Sequence, residues 1–313
     1  MSQQKKILIA VDSSAHSLNA VKYVAQQCAP AERSLNLMHV IPTAPETFWD
    51  MEKDAFFKEK MKSKYAQWKR NAKKAAQTFL DDARNLLVKA KFKENHVGVI
   101  LQEREVGIAR DILKECAKGY DAVVVGRRGL SKLEDIFLGS VSSKIVNGLE
   151  NVPVWVVGGD IKSRKMLLAV DSSENSRKAV DYLGAFAADT EAELTIFHVV
   201  RSVGLGFVDD PALRDQEIEK RLTEETERDI PRMFRSYKES LEKAGVAPAR
   251  ISSKVIMHSS SRAGDIVKEA KDGRYGTIVM GRRGLSKVRE FLMGRVTNKV
   301  LDRAEGFAVW IVP

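Results

Sequence analysis

The sequence predicts an α/β protein built as two tandem domains, each a five-stranded parallel sheet with helices on both faces. Three observations carry this expectation. The chain repeats itself along its length. Short, continuously apolar runs alternate with segments of helical period. The length of 313 residues leaves each copy about the size of an ordinary domain, large enough to bury its own core.

The repetition is direct. ILIAVDSS at 7–14 returns as MLLAVDSS at 166–173, and LNLMHV at 35–40 returns as LTIFHV at 194–199. VVVGRRGLSKLEDIFLGSVSSKIV at 123–146 returns as IVMGRRGLSKVREFLMGRVTNKVL at 278–301, and PVWVV at 153–157 returns as AVWIV at 308–312. Four segments in one order mark a duplicated unit. The expected domains are 1–158 and 165–313, joined by a Gly- and charge-rich linker at 159–164. In the first copy, strands are expected at 6–12, 35–40, 96–101, 121–126 and 153–157, with helices near 15–28, 47–92, 107–118 and 141–149. Strands this apolar are covered on both faces. Their alternation with helices means a doubly wound parallel sheet of the flavodoxin/Rossmann-like kind. In such sheets a ligand lies beyond the carboxyl ends of the strands, at the switch point. Asp12, Val40 and the loop after Gly126 should therefore surround one crevice.

That loop is the most informative stretch. Gly126-Arg127-Arg128-Gly129 is followed nine residues later by Gly139-Ser140. A buried strand, a glycine-rich loop and a helix start together make an anion site. Glycines let backbone approach a phosphate, and the first N–H groups and dipole of a helix favour negative charge. Ser140 and Ser142 add hydroxyls. The bland alternative is that the glycines only make turns and Ser140 only caps its helix. Recurrence of the whole block after a second apolar strand favours the anion site. For Arg127, Arg128, Arg282 and Arg283 two readings stand side by side: screening of phosphate charge, or solvated loop tips.

The pattern G-x-x-G, nine residues, G-[ST] resembles the nucleotide signature of ATP-binding universal stress proteins. The resemblance covers essentially the whole chain apart from two inserted helices. It extends to an Asp closing strand one (Asp12, Asp171) and a Val ending strand two (Val40, Val199). It implies that Asp12 and Val40 flank adenine and ribose. It implies that Gly126, Gly129, Gly139, Ser140, Val141 and Ser142 hold the phosphates of ATP, accompanied by Mg²⁺ or Mn²⁺. The second set would be Asp171, Val199, Gly281, Gly284, Gly294, Arg295 and Thr297. There Arg295 stands where the hydroxyl should be, so weaker or altered binding is expected. The resemblance also implies that 153–157 and 308–312 meet within one chain as a pseudo-dimer. The function implied is adenine-nucleotide binding in stress response or signalling, with at most slow ATP hydrolysis. The alternative is a scaffold with vestigial pockets that recruits protein partners.

Absences narrow the field. There is no G-x-x-x-x-G-K-[ST] loop, no G-x-G-x-x-G after strand one, no G-x-S-x-G elbow and no HExxH. The repeated His39 and His198 read as packed rather than catalytic. Cys28 and Cys116 stand alone, as small buried side chains in a reducing, cytoplasmic setting. No leader segment or membrane span is expected. The formal charge of +10 draws polyanions. It splits as +7 before residue 158 (25 basic, 18 acidic) and +3 after it (27 basic, 24 acidic), and no aromatic–basic interleaving supports nucleic-acid binding.

The inserts differ in sign. Residues 46–97 carry 13 basic and 8 acidic groups, and residues 206–245 carry 8 basic and 11 acidic. In the first, Phe57, Met61, Tyr65, Trp68, Ala72, Ala75, Phe79, Ala83 and Leu86 define one helix face, expected to pack on the sheet. In the second, Pro231 is expected to break or start a helix. Helices 47–92 and 213–244 are the expected surfaces for a homo-oligomer or protein partners.

Overall fold

A computed structural model describes residues 5–43, 55–129, 138–201, 216–284 and 293–313. The chain forms two compact units, Met1–Asp160 and Ile161–Pro313.

In the first unit the order is β1 (Lys5–Ala10), α1 (Ala15–Gln27), β2 (Arg33–Ile41), α2 (Ala55–Lys89), β3 (Val97–Glu103), α3 (Ile108–Cys116), β4 (Ala122–Gly126), α4 (Ser140–Gly148) and β5 (Val154–Val157). The strands lie parallel in the order β3-β2-β1-β4-β5. From β1 the chain steps outward through β2 and β3, then returns to β4. The switch point therefore lies between β1 and β4, where Ala10 pairs with Val125. α1 and α2 pack together on one face, and α3 and α4 on the other. Coverage on both faces explains the apolar strands: Leu8, Ile9, Val123, Val124 and Trp155 are fully buried. Tyr23 of α1 meets Trp155 edge to face at 6.3 Å between ring centroids.

The second unit repeats this plan with β6 (Lys165–Ala169), α5 (Glu174–Ala187), β7 (Glu193–Arg201), α6 (Gln216–Lys243), β8 (Ile251–Ser259), α7 (Arg262–Asp272), β9 (Thr277–Gly281), α8 (Arg295–Arg303) and β10 (Ala308–Val312). Its strand order is β8-β7-β6-β9-β10, all parallel. Ile161 is buried and Ser163 Oγ donates to the Arg274 carbonyl at 2.8 Å, so part of the expected linker packs on this unit.

The inserted helices differ from expectation. α2 is one helix of 35 residues, about 52 Å long at 1.5 Å per residue. The strand before it has nine residues, about 30 Å. The helix must overrun the sheet. Its buried side chains are Ala76, Leu80, Ala83 and Leu87, while Ala75 and Trp68 are exposed and no side chain from 59 to 75 is buried. The expected stripe is thus right only near its C-terminal end, where the helix contacts β2 and β3. Residues 47–54, and the side chain of Phe57, fall outside the described residues. In the second insert α6 runs through Pro231 without a break. Ile230, Tyr237 and Leu241 are buried on its packed face. That burial offsets the roughly 3 kcal/mol an interior proline costs. Residues 213–215 lie outside the described residues.

Candidate functional site

The site begins with the turn between β1 and α1. Ser14 is the α1 N-cap, and its Oγ accepts from the Ser17 N–H at 3.1 Å. Ser17 turns its hydroxyl back to Asp12: Oγ donates to Oδ1 at 2.6 Å and accepts from the Asp12 N–H at 2.9 Å. Asp12 Oδ1 also accepts from the Ser14 N–H at 3.2 Å. One carboxylate oxygen is thereby fixed. The other, Oδ2, lies against Gly129, where an added Cβ would collide with it. Between them Ser13 adopts φ 63°, a left-handed conformation costly for a residue with a Cβ.

The glycine loop closes over this corner. Gly126 ends β4 so close to the first turn of α1 that a Cβ would sit 3.0 Å from the His16 carbonyl carbon. The Gly139 N–H donates to the Arg127 carbonyl at 2.9 Å, pinning the end of the loop to its start. Gly139 is the N-cap of α4, and Ser143 is the first residue of that helix whose N–H meets a carbonyl in it, that of Gly139 at 2.8 Å. The N–H groups of Ser140, Val141 and Ser142 therefore open at the positive end of the helix. Ser140 is exposed. Ser142 is buried and donates its hydroxyl to the Gly126 carbonyl at 2.7 Å. The expectation that Ser142 offers its hydroxyl proton to phosphate is corrected here: that proton ties α4 to β4.

Val40 is buried near the end of β2. His39 beside it is also buried, and burial holds its imidazole below the ordinary value, partly opposed by the Asp12 carboxylate. A neutral His39 fits the packed role expected of it. In the second unit His198 Nδ1 lies 2.6 Å from the Val170 carbonyl. Arg127 and Arg282 are buried rather than solvated tips, and their backbone N–H groups donate to the carbonyls of Val157 and Val312. Beside Ser13 a groove of about 550 Å³ opens, lined by Asn71, Lys74, Ala75, Thr78, Phe79 and Asp82 of α2.

The second unit reproduces the corner nearly atom for atom. Ser176 Oγ donates to Asp171 Oδ1 at 2.7 Å, the Ser173 N–H donates to the same oxygen at 3.0 Å, and a Cβ on Gly284 would meet Asp171 Oδ2. The Gly281 backbone approaches Asn175 just as closely, and the Gly294 N–H donates to Arg282 at 2.9 Å. Thr297 donates to the Gly281 carbonyl at 3.1 Å, as Ser142 does in the first unit. Two features differ. Arg295 stands exposed at the start of α8, and Tyr237 Oη donates to the Asp171 carbonyl at 2.7 Å. Helix ends Lys91–Phe92 and Gly245–Val246 correspond, which places Ala83 where the second unit has Tyr237.

So the structure brings Asp12, Gly126, Gly129, Gly139 and Ser140 together at the switch point, and Asp171, Gly281, Gly284, Gly294 and Arg295 likewise. Val199 is buried in β7 as Val40 is in β2, and Val141 is half-buried in α4. Sequence reasoning missed Ser17 and Ser176 as holders of the aspartates. The signal was present: VDSSAHS and VDSSENS both place a serine five residues after the Asp. Among the described residues no three carboxylate, histidine or cysteine side chains converge. Among the described residues, Asp12 and Ser140 bring side-chain oxygens to the loop.

A parallel sheet with a carboxylate, a glycine loop and a helix start at its switch point defines a class of doubly wound α/β domain, here present twice. The sequence model of the universal stress protein family matches residues 4–158 and again 162–313, and the chain belongs to that family. It is 31% identical over 142 residues to the universal stress protein YxiE of Bacillus subtilis, a match spanning 44% of this chain and 90% of that protein. It is 27% identical over 210 residues to a universal stress protein of Mycolicibacterium smegmatis, across 63% of this chain and 65% of that one. A universal stress protein from Archaeoglobus fulgidus shares the fold over 99% of this chain and 98% of its own, with a TM-score of 0.63 at 20% identity.

Proposed function

We propose that the first unit binds an adenine nucleotide, ATP, at the switch point, and that the chain works in stress response or signalling in the cytoplasm as a nucleotide-responsive binding protein without metabolic turnover. One observation carries the reading. The loop backbone at Gly129 lies directly on the Asp12 carboxylate, and Ser140 at the start of α4 is exposed. Asp12 faces the ribose hydroxyls. The N–H groups of Ser140 to Ser142, with the Ser140 hydroxyl, hold the phosphates, and Val40 borders the base. The same proposal has 153–157 pairing with 308–312 within one chain, because each is a short apolar final strand.

Calorimetric titration with ATP in the presence of Mg²⁺ tests the nucleotide reading. One site per chain is expected, lost in Gly129→Ala, whose methyl displaces Asp12, and weakened about tenfold or more in Ser140→Ala. A wild-type protein that gives neither heat nor a thermal shift with ATP disproves it.

A further inference from the structure

The exposed part of α2 has no use in the site just described. Residues 59–75 run as helix for about 25 Å without one buried side chain. At about 100° per residue, Met61, Tyr65, Trp68 and Ala72 fall within an arc of about 60° along this arm. Trp68 is 44% exposed and stacks on Tyr65, with ring centroids 5.6 Å apart and an interplanar angle of 22°. The rest of the arm is basic, with seven Lys and Arg against one acid, Glu59. Lys62, Lys69 and Lys73 flank the apolar arc on one side, and Lys60 and Lys64 flank it on the other. Lys60 and Lys64, and Lys69 and Lys73, stand at i, i+4, the spacing at which like charges weaken a helix. Among the described residues Lys69 alone of these is answered by an acid, Glu103 at 2.7 Å.

This pattern is complementary to an anionic surface with an apolar interior. A helix with a narrow aromatic edge between rows of lysine can lie in the plane of a membrane boundary. Its edge enters the headgroup layer, and the lysine stems run along apolar surface while the ammonium groups reach phosphate. Trp and Tyr favour that boundary because each has an apolar body and one polar tip. A nucleic acid would answer the same charge, but two features favour lipid. Six of the seven basic residues are Lys, whereas Arg is the side chain that forks onto phosphates and stacks on bases. Tyr65 and Trp68 also cover one ring face of each other, which leaves less for a base to stack on.

We propose that residues 59–75 lie flat on an anionic phospholipid surface, with Met61, Tyr65 and Trp68 set into the headgroup layer and the flanking lysines on lipid phosphates. The attraction is electrostatic at long range and apolar at contact, so it depends on lipid charge, on salt and on the aromatic edge together.

Co-sedimentation of the full chain with vesicles, in the absence of nucleotide, tests this. Binding is expected to phosphatidylcholine vesicles containing about a third phosphatidylglycerol and not to phosphatidylcholine alone, and it should fall as salt rises from about 100 mM to about 500 mM. The triple variant Lys60→Gln, Lys64→Gln, Lys73→Gln changes exposed residues and should keep its melting temperature. Its affinity for the charged vesicles should drop about a hundredfold, at about fivefold per basic residue. Tryptophan emission of the wild type should shift to the blue on those vesicles. Trp68→Phe should still bind but lose the shift, since Trp155 and Trp310 are already fully buried. The proposal is overturned by a wild type that ignores charged vesicles, or that binds neutral ones equally well. Binding that withstands the lysine changes, or an emission shift that persists in Trp68→Phe, also overturns it. A chain that takes single-stranded RNA but no vesicle assigns the arm to nucleic acid instead. ATP titration without vesicles reads the switch point, so either reading can fail while the other stands.

Discussion

Single residues set the geometry of both corners, chiefly through what they exclude. Gly129 and Gly284 have no room for a Cβ because a carboxylate oxygen occupies it, and Gly126 and Gly281 have none because the next helix does. The glycines expected to serve phosphate are thus required by packing alone. Elsewhere the chain tolerates strain. Lys91, two residues past the end of α2, adopts φ 76°, where the second unit has Gly245 at φ 104°. Lys91→Gly removes a left-handed Cβ at a helix end, with part of the gain returned as unfolded-chain entropy, and should stabilise by about 0.5–1 kcal/mol in chemical denaturation. His39 gives a pH signature. Its folded value lies below 6.5 while the unfolded chain titrates near 6.5. The unfolded state thus binds the proton first as pH falls. Stability is full above 6.5, declines as pH drops from there toward the folded value, and levels off beneath it. Denaturation midpoints followed from about pH 7.5 to about pH 5 should show this decline, and His39→Gln should flatten it. Burial pushes both thiols, Cys28 and Cys116, up to about 12, which keeps them protonated at neutral pH.

At the scale of elements, the helices that flank the site are held by local chemistry that any reader of the chain can find. α1 and α5 start at serines whose hydroxyls accept from the third residue on, and the same serine-rich turn secures the aspartate. The long inserts obey a different rule. Their length exceeds that of the sheet, so their period describes a surface only where a surface exists to meet it. α6 shows the competition between local and tertiary terms most plainly. Pro231 removes one hydrogen bond, yet the helix continues because Ile230, Tyr237 and Leu241 bury against the unit. Pro231→Ala restores the donor and should raise stability by about 1–3 kcal/mol without altering the fold, as a shift in the urea midpoint would show.

Across the whole molecule, duplication provides an internal control. The two corners share their hydrogen bonds to within a few tenths of an ångström, and among the described residues Arg295 in place of Ser140 and Tyr237 in place of Ala83 set them apart. If the first unit binds ATP and Arg295 keeps it from the second corner, Arg295→Ser should raise the stoichiometry from one to two per chain by calorimetry. With a stoichiometry that stays at one, the pair Arg295→Ser, Tyr237→Ala becomes the informative protein. Among the described residues no helix is long and apolar enough to cross a membrane.

What the sequence determined by itself is whatever is encoded in short-range pattern: the duplication, the parallel strands, the capped helix starts and the spacing of the glycine loop. Each is fixed by neighbours within a few residues, where period and turn chemistry act directly. Only the tertiary structure decided which oxygen of Asp12 is fixed by Ser17, that Ser142 turns inward to Gly126, that Arg127 is buried, and how far α2 outruns its sheet. Those depend on groups brought together from distant parts of the chain, and on how much surface the rest of the fold offers to bury against.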